Sequence, residues 1–392
     1  FFPPLKRFKA FRNKYGDEIN HYPQLQNIVL EQKSFSDEPA VKLQRAGSGR
    51  ITGFSQNWNG KCPLARVHQI PHDVFPAAKY APDNSWPEAI LPVIKGKKIR
   101  LPDAPDPLPS SIRDLARPYR AFWQPCWSSR DTTRIPIENI LEILAAEPDR
   151  VSINMDVNDM GGYCECQQCL RAINGKRNIS NYADYSELYW KWVNDVATAV
   201  CAKYPGIIFR AIAYCGVLAA PSFKLHPNVL PRLCIELPTL LDEDVGPKKL
   251  ALIQEWSQKA SSLGLYDYMH GINFFLIPRI YFRNHSKLVA DMVQKYNLNA
   301  AYYESDGETA FQGPQQQLLV RILWNPNLDV EKFLHDWYVD AVGEKAAPWL
   351  AKYFDFWEAY WTGQDIRKTS WYASVGNVYM ALGEIPTHTY AL

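Results

Sequence analysis

Residues 151–169 read VSINMDVNDMGGYCECQQC, a strand pattern that runs directly into a group of polar, acidic and sulfur-bearing residues. From Val151 to Asn158, apolar and polar residues alternate without interruption. Because successive residues of a strand point to opposite faces, one face of this strand is apolar and the other is hydrophilic. Such a strand is typical of an α/β barrel, where the apolar face meets helices and the polar face reaches a pocket at the carboxyl end.

The alternation of strand and helix patterns continues toward the C-terminus. Each strand pattern is followed by a helical pattern of roughly a dozen residues or more, which is typical of a parallel sheet with helical crossovers. Polar and aromatic residues stand at successive strand ends and would converge on one barrel mouth, so the sequence predicts an α/β protein with a (β/α)8 TIM-type barrel. The predicted strands cover 207–214, 229–237, 264–269 and 298–304, and the predicted helices cover 136–146, 182–204, 247–262 and 285–296.

We predict three parts of the chain. Residues 1–60 form an irregular N-terminal segment, in which 26–30 and 50–54 hint at short strands. Residues 61–325 form the barrel, and residues 326–392 form a C-terminal helical extension packed by aromatic side chains.

Composition and charge narrow the class of protein. Hydrophobic residues make up 47% of the 392 residues and charged residues 21%, a globular balance that excludes a disordered chain. The net charge of +2 and the scattered Lys and Arg residues exclude a strong nucleic-acid footprint. No apolar run approaches the roughly 18 residues of a membrane span. Aromatic residues reach 13%, which fits either core packing or the recognition of sugar rings, and both interpretations stay open.

Three cysteines follow the first strand in a C-x-C-x-x-C pattern, namely Cys164, Cys166 and Cys169. Three thiolates this close together can hold zinc if a fourth ligand arrives from elsewhere, and Cys126 is the obvious candidate. The alternative is a disulfide between Cys126 and one of the three, with the other thiols buried and inert. In either case we expect the cysteines to fasten the loop after the strand, as a structural zinc site or a disulfide, and we expect no cofactor for catalysis.

Carboxylate and amide side chains stand at the predicted strand ends. Cleavage of a glycosidic bond needs a proton donor at the leaving oxygen and a group that stabilises positive charge at the anomeric carbon. Each acid alone is more often a solvated loop residue or a helix cap, but several at consecutive strand ends favour an active site. The set is Asp156, Asn158, Asp159, Asp267 and Glu304, and the predicted substrate contacts are Asp156, Asp267, His68, Trp123, Tyr214, Tyr268 and His270.

Several segments together resemble a bacterial family catalogued as domain of unknown function 4838. They are VNDMGGYCECQQC at 157–169, KWVNDVATAVCAKYPG at 191–206, AIAY at 211–214, AAYYESDG at 300–307 and LLVRILWNPNLDVEKFLHDWYVDAVG at 318–343. Part of that family is classified as glycoside hydrolase family 163, the endo-β-N-acetylglucosaminidases that act on complex N-glycans. The resemblance covers about residues 67–354 and implies a (β/α)8 barrel with activity on β-linked N-acetylglucosamine.

The resemblance also implies a mechanism, in which the 2-acetamido oxygen of the substrate attacks the anomeric carbon. One residue holds the acetamido N–H, and an adjacent acid protonates the leaving oxygen. By their position at the end of the fourth barrel strand, Asp159 is the leading acid or acetamido-polarising group and Asn158 is its orienting partner, with Glu304 as the rival acid. A glycan or glycoprotein is the implied partner, and we expect a secreted, periplasmic or cell-surface location.

Two features depart from the family. Members usually carry a sandwich domain before the barrel, which residues 1–60 are too short to form, and the proline-rich residues 100–118 are unfamiliar. Three alternatives therefore stay open. They are a non-catalytic glycan-binding barrel protein, a metal-stabilised scaffold with no sugar role, and a glycosidase for another sugar such as a uronic acid, in which Arg210 or Arg279 would line the pocket.

Overall fold

A computed structural model of the chain describes residues 74–75, 79, 86–99, 124–148, 150–158, 162–268, 278–306 and 312–363, together with three strands within residues 33–57. For those three strands and for residues 304–306, the backbone alone is described.

The described part of the chain contains one sheet of eight strands and a separate two-stranded hairpin. The hairpin consists of β4 (Val93–Ile94) and β5 (Lys97–Lys98). The strands of the large sheet are β1 (Lys33–Phe35), β2 (Glu38–Gln44), β3 (Ile51–Asn57), β6 (Ser152–Asn154), β7 (Ile208–Ala213), β8 (Val229–Cys234), β9 (Leu263–Tyr268) and β10 (Leu298–Asp306).

Five strands, β6 to β10, lie side by side in chain order and are all parallel, which confirms the predicted parallel sheet. β3 pairs in parallel with the other edge of β10, where the sequence only hints at a strand over 50–54. Residues 1–60, predicted to be irregular, thus contribute β1, β2 and β3 to the sheet. β2 pairs antiparallel with β3 along residues 51–54, and β1 pairs antiparallel with β2. The described strands therefore show a mixed α/β fold with a parallel sheet, and they do not show a closed barrel.

The helices lie where the helical patterns predict them, and α-helices follow β6, β8, β9 and β10. The prediction of a helix after every strand is wrong for β7, because the connection from β7 to β8 contains the 3-10 turn Cys215–Val217 and no α-helix. β8 ends at Cys234, before the predicted residue 237, and the chain turns into a 3-10 turn over Leu237–Leu241 in which Pro238 cannot donate to a strand ladder. Within the described residues, no helix is both long and apolar enough to cross a membrane. The described α-helices are α1 (Asp131–Ala146), α2 (Gln167–Ile173), α3 (Ser186–Cys201), α4 (Gly246–Lys259), α5 (Phe282–Lys295), α6 (Gln315–Trp324), α7 (Val330–Val342) and α8 (Ala347–Thr362).

Aromatic side chains fill much of the core between the sheet and its helices. Helix α3 packs on β7 and β8, and α5 and α6 pack on β10. Trp190 and Trp256 meet edge to face with ring centroids 4.8 Å apart. Their indole N–H groups donate to the carbonyls of Val217 and Leu218, each at 3.0 Å, so both buried indoles are satisfied. Core packing therefore accounts for a substantial part of the aromatic content.

Candidate functional site

A pocket lies at the carboxyl ends of β7, β8 and β9, at the edge where the sequence predicts an active site. Tyr214 follows β7, Glu236 follows β8 and Tyr268 ends β9, and all three line the pocket. Lys249 lines it from α4. The loops after parallel strands converge at this edge, which is why α/β proteins place their sites there. The other described lining residues are Ile179, Ser180, Cys215, Leu218, Cys234, Ile235 and Leu252.

A buried ion pair lies next to the pocket, on the face of β8 that carries the pocket residue Cys234. Arg232 is two residues from the pocket residue Cys234, so the two side chains share a face. Its guanidinium pairs with Asp156, which follows β6, and lies 5.9 Å from the centroid of the Tyr266 ring. A Cβ atom at Gly264 would lie 2.7 Å from Cγ of Arg232, so only glycine leaves room for this side chain.

The carboxylate of Glu236 is held by a buried arginine. Nη2 of Arg279 lies 3.2 Å from Oε2 of Glu236, and both side chains are buried. Beside them, Oδ1 of Asp267 accepts hydrogen bonds from the backbone N–H groups of Tyr268 at 2.8 Å and Leu237 at 3.3 Å. Burial, together with the charge of Glu236, raises the pKa of Asp267 to about 8. The two neighbouring carboxyl groups therefore differ in environment: Glu236 has a charged partner, whereas Asp267 keeps its proton near neutral pH.

Lys249 completes the electrostatics of the pocket. Burial lowers the pKa of its ammonium to about 8, against the opposing effect of the charge on Glu236. Its Nζ donates a hydrogen bond to the hydroxyl of Thr239 in the 3-10 turn. The pocket region thus combines a Glu236 side chain paired with Arg279, an Asp267 that keeps its proton near neutral pH and an ammonium that loses its proton readily. Neighbouring groups whose pKa values are shifted in opposite directions are suited to acid and base chemistry.

Gln124 anchors both ends of the loop that follows β6. Its side-chain amide donates to the carbonyl of Asn158 at 2.8 Å and accepts from the Asn158 N–H at 3.0 Å. Its backbone N–H donates to the carbonyl of Gly162 at 2.9 Å, and Gly162 has a φ of 71°, which favours glycine. Asp159 itself lies outside the described residues. Asn158 and Gly162, on either side of it, are nevertheless both hydrogen-bonded to the buried Gln124, the first through its side chain and the second through its backbone N–H.

Four cysteine thiols meet near this loop. The Sγ atoms of Cys126, Cys164, Cys166 and Cys169 all lie within 4.8 Å of one another. Cys126 Sγ is 3.8 Å from Cys166 Sγ and 3.9 Å from Cys169 Sγ. Sulfur atoms around a tetrahedral zinc with Zn–S bonds of about 2.3 Å stand about 3.8 Å apart, whereas a disulfide holds them at about 2.05 Å. The cluster is therefore four free thiols spaced to hold a metal ion.

The thiols of the cluster cannot all ionise without a cation. Hydrogen bonds from Cys126 and Cys169 lower the pKa of Cys164, whose Sγ also accepts the N–H of Val93 at 3.3 Å. The hydrogen bond to Cys164 is in turn the main cause that raises the pKa of Cys126, since a second thiolate would lie beside the first. A divalent metal ion would supply the charge that four adjacent thiolates require.

The structure brings some of the predicted substrate contacts together. Tyr214 and Tyr268 line one pocket, and Asp267 lies directly behind it, beside Glu236. Asp267 is fully buried and Asp156 is 1% exposed in its pair with Arg232, so the geometry favours electrostatic and structural roles for these two acids.

Of the other predicted site residues, the structure describes two, Asn158 and the backbone of Glu304. The backbone of Glu304 lies in β10, in register with Tyr268 of β9. Asn158 is half-buried and lies four residues after the end of β6, because the strand predicted over 151–158 is confined to Ser152–Asn154. The predicted residues that lie outside the described part of the chain are His68, Trp123, Asp159 and His270.

Three polar residues of the site are absent from the predicted set, namely Glu236, Lys249 and Gln124. A signal for Glu236 was present, because Arg232, Cys234 and Glu236 are alternate polar positions, like the polar positions of residues 151–158. No local pattern marks Lys249 or Gln124. Their burial depends on the packing of distant segments against them.

Fold and site together define a mixed α/β protein with a pocket at the carboxyl ends of its parallel strands and a four-cysteine cluster beside one of them. The chain belongs to the family described as domain of unknown function DUF4838, whose model matches residues 14–355. This match confirms the resemblance of the sequence to domain of unknown function 4838. No curated protein matches the chain.

Proposed function

We propose that this protein is a glycoside hydrolase that cleaves β-linked N-acetylglucosamine in glycans of the N-glycan type. The observation that carries the proposal is the convergence of Tyr214, Glu236 and Tyr268 at the carboxyl ends of three adjacent parallel strands, β7, β8 and β9. Tyrosine rings pack against the apolar faces of sugars, and hydroxyl and carboxylate groups bind sugar hydroxyls. A buried carboxylate at the carboxyl edge of a parallel sheet is also what glycosidic cleavage requires.

The proposed reaction is retaining and substrate-assisted. The acetamido oxygen bonds to the anomeric carbon while the glycosidic bond breaks, and an acid gives its proton to the leaving oxygen. Asp159 is the leading candidate for the acid or the acetamido-polarising group, Asn158 for its orienting partner, and Glu304 for the rival acid. The hydrogen bonds of Gln124 to Asn158 and Gly162 support this assignment, because they hold the backbone on both sides of Asp159.

We further propose that the parallel strands belong to a (β/α)8 barrel. In such a barrel the first strand lies beside the last. The parallel pairing of β3 with β10 supports this arrangement, and the antiparallel register of β2 on β3 ends at residue 54, before the carboxyl end of β3. The proposal requires two further strands from residues 58–151, between β3 and β6.

We also propose that the four cysteines hold one structural zinc ion. All four tetrahedral positions would be taken by thiolates, so none would be open to water or substrate. The ion would join Cys126, ahead of α1, to Cys164 and Cys166 in the loop and to Cys169 in α2. Its role would be to fasten the loop that follows Asn158.

The activity is tested with an aryl N-acetyl-β-glucosaminide and with an N-glycoprotein. We expect the wild-type protein to hydrolyse at least one of them, and Asp159→Asn and Glu304→Gln each to lose on the order of 10²-fold or more in kcat, as expected for a lost proton donor or charge partner. Glu255→Gln, on the exposed face of α4, is the control and should keep the wild-type rate.

The outcomes separate the alternatives. Full activity in both acidic-residue variants would refute their assignment. Binding to glycans without turnover would favour a glycan-binding protein. A preference for uronic acids would require Arg210 or Arg279 in the pocket, and neither is among the described residues that line it.

A further inference from the structure

Glu236 is the one carboxylate among the described residues that line the pocket. Its backbone is fixed by the 3-10 turn that follows β8, because its carbonyl accepts the N–H of Thr239 at 3.0 Å and the Thr239 hydroxyl at 2.6 Å. Its side chain is fixed by Arg279, whose guanidinium also lies 5.7 Å from the centroid of the Tyr281 ring. The carboxylate is therefore preorganised at the pocket wall.

The neighbouring Asp267 keeps the negative charge on Glu236. Two adjacent buried carboxyl groups are costly to ionise together, so one of them takes the proton. Asp267 is fully buried, and its Oδ2 has no hydrogen-bond partner within the described residues, whereas Glu236 has the charged partner Arg279. The proton therefore stays on Asp267, consistent with its pKa of about 8. Glu236 faces the pocket as an anion.

We infer that Glu236 is a catalytic residue that accepts a hydrogen bond from the acetamido N–H of the bound N-acetylglucosamine and stabilises the positive charge that develops there. This inference rests on the proposed function; it gives the acetamido-polarising role to Glu236, which is outside the predicted set, and leaves Asp159 and Glu304 as the candidates for the acid. A carboxylate already held as an anion needs no reorganisation when that charge appears.

The bonds of the reaction balance with Glu236 in this role. In the first step the acetamido oxygen bonds to the anomeric carbon, the glycosidic bond breaks, and the leaving oxygen takes both the electron pair and the proton of a separate acid. The acetamido nitrogen keeps its hydrogen, which is bonded to Glu236. In the second step water attacks the anomeric carbon, the acetamido bond to that carbon breaks, and the water returns a proton to the acid.

The test compares Glu236→Gln with Glu358→Gln on the aryl N-acetyl-β-glucosaminide. Glu358 is the matched control, since it is also buried and paired with an arginine, Arg283, at 2.7 Å, but it lies on α8. Glu236→Gln should lower kcat and kcat/KM together, on the order of 10²- to 10³-fold, because the lost interaction strengthens in the transition state. Glu358→Gln should keep the wild-type kinetics.

A binding measurement gives a readout that a structural role would not change. A bicyclic thiazoline analogue of N-acetylglucosamine mimics the intermediate, so Glu236→Gln should lose its tight binding while free N-acetylglucosamine binds as before. Glu236→Asp keeps the charge beside Arg279 but retracts it by one methylene, and it should show a smaller loss of the same kind.

Two results would overturn the inference in different ways. The role of Glu236 alone is overturned if the wild-type protein is active and both variants, Glu236→Gln and Glu236→Asp, stay within about threefold of its kcat and its thiazoline affinity. A factor of about three is below the loss expected for such a group. A wild-type protein that neither hydrolyses the substrates nor binds the thiazoline overturns the proposed function and this assignment with it.

Discussion

The ion pair between Asp156 and Arg232 offers a direct test of how the polar face of the sheet is stabilised. Asp156 is 1% exposed and Arg232 is 7% exposed, and the arginine reaches from β8 across β7 to the residue that follows β6. Asp156→Asn preserves the shape of the side chain but removes its charge. The Arg232 guanidinium would then remain buried without its counter-ion, which is the costly way to break such a pair.

The expected loss follows from this burial. Removing one partner of a buried ion pair costs about 3–5 kcal/mol of unfolding free energy, whereas breaking an exposed pair costs less than about 1 kcal/mol. The control is Asp195→Asn, which breaks a pair with Lys191 at 2.8 Å on the exposed surface of α3. We expect the two substitutions to differ by about 2 kcal/mol or more.

Urea unfolding followed by circular dichroism measures this difference. The double variant Asp156→Asn with Arg232→Met removes the stranded charge, so it should recover part of the loss in a double-mutant cycle. If Asp156→Asn destabilises the protein no more than Asp195→Asn does, the pair behaves like a surface ion pair and the reasoning from its burial is refuted.

Two further predictions concern the metal site and a buried histidine. Elemental analysis should find about one zinc ion per chain, because a four-thiolate site holds one ion. Cys169→Ala should lose the zinc and melt at a lower temperature, whereas Cys201→Ala should keep it. A metal-free protein whose stability is unaffected by chelators would contradict this. Burial, with the charge of Arg279, lowers the pKa of His285 from 6.5 to about 3. Because the unfolded chain takes up this proton first, stability should fall as the pH drops from 6.5 toward 3. His285→Gln should flatten that dependence and the exposed His335→Gln should not; equal slopes in both variants would be the contrary result.

The helices and strands of the C-terminal half could be predicted because their signals are local. The pattern at 264–269 corresponds to Leu263–Tyr268, and the pattern at 207–214 corresponds to Ile208–Ala213. Apolar periodicity along a few residues reports which face is buried, whatever the rest of the chain does. The pattern at 50–54 indicated a short strand where Ile51–Asn57 lies, but its place in the sheet was missed, since its parallel partner β10 lies more than two hundred residues away.

The candidate site shows the same division. Its tyrosines could be predicted because each follows or ends a recognisable strand, and the metal cluster could be predicted because three of its cysteines are close in sequence. Glu236 was passed over, because its importance depends on Arg279, Asp267 and the pocket, which distant segments supply.

By itself, the sequence determined the family, the order of strands and helices from residue 151 onward, and the cysteines capable of meeting. It did so because periodicity, spacing and motif are properties of neighbouring residues. Only the tertiary structure decided that Cys126 reaches the other three thiols, that Asp156 is neutralised by Arg232, and that Asp267 is buried while Glu236 faces the pocket. The reason is physical: charge and protonation depend on burial and on partners from distant segments, and both come into being only when the chain packs.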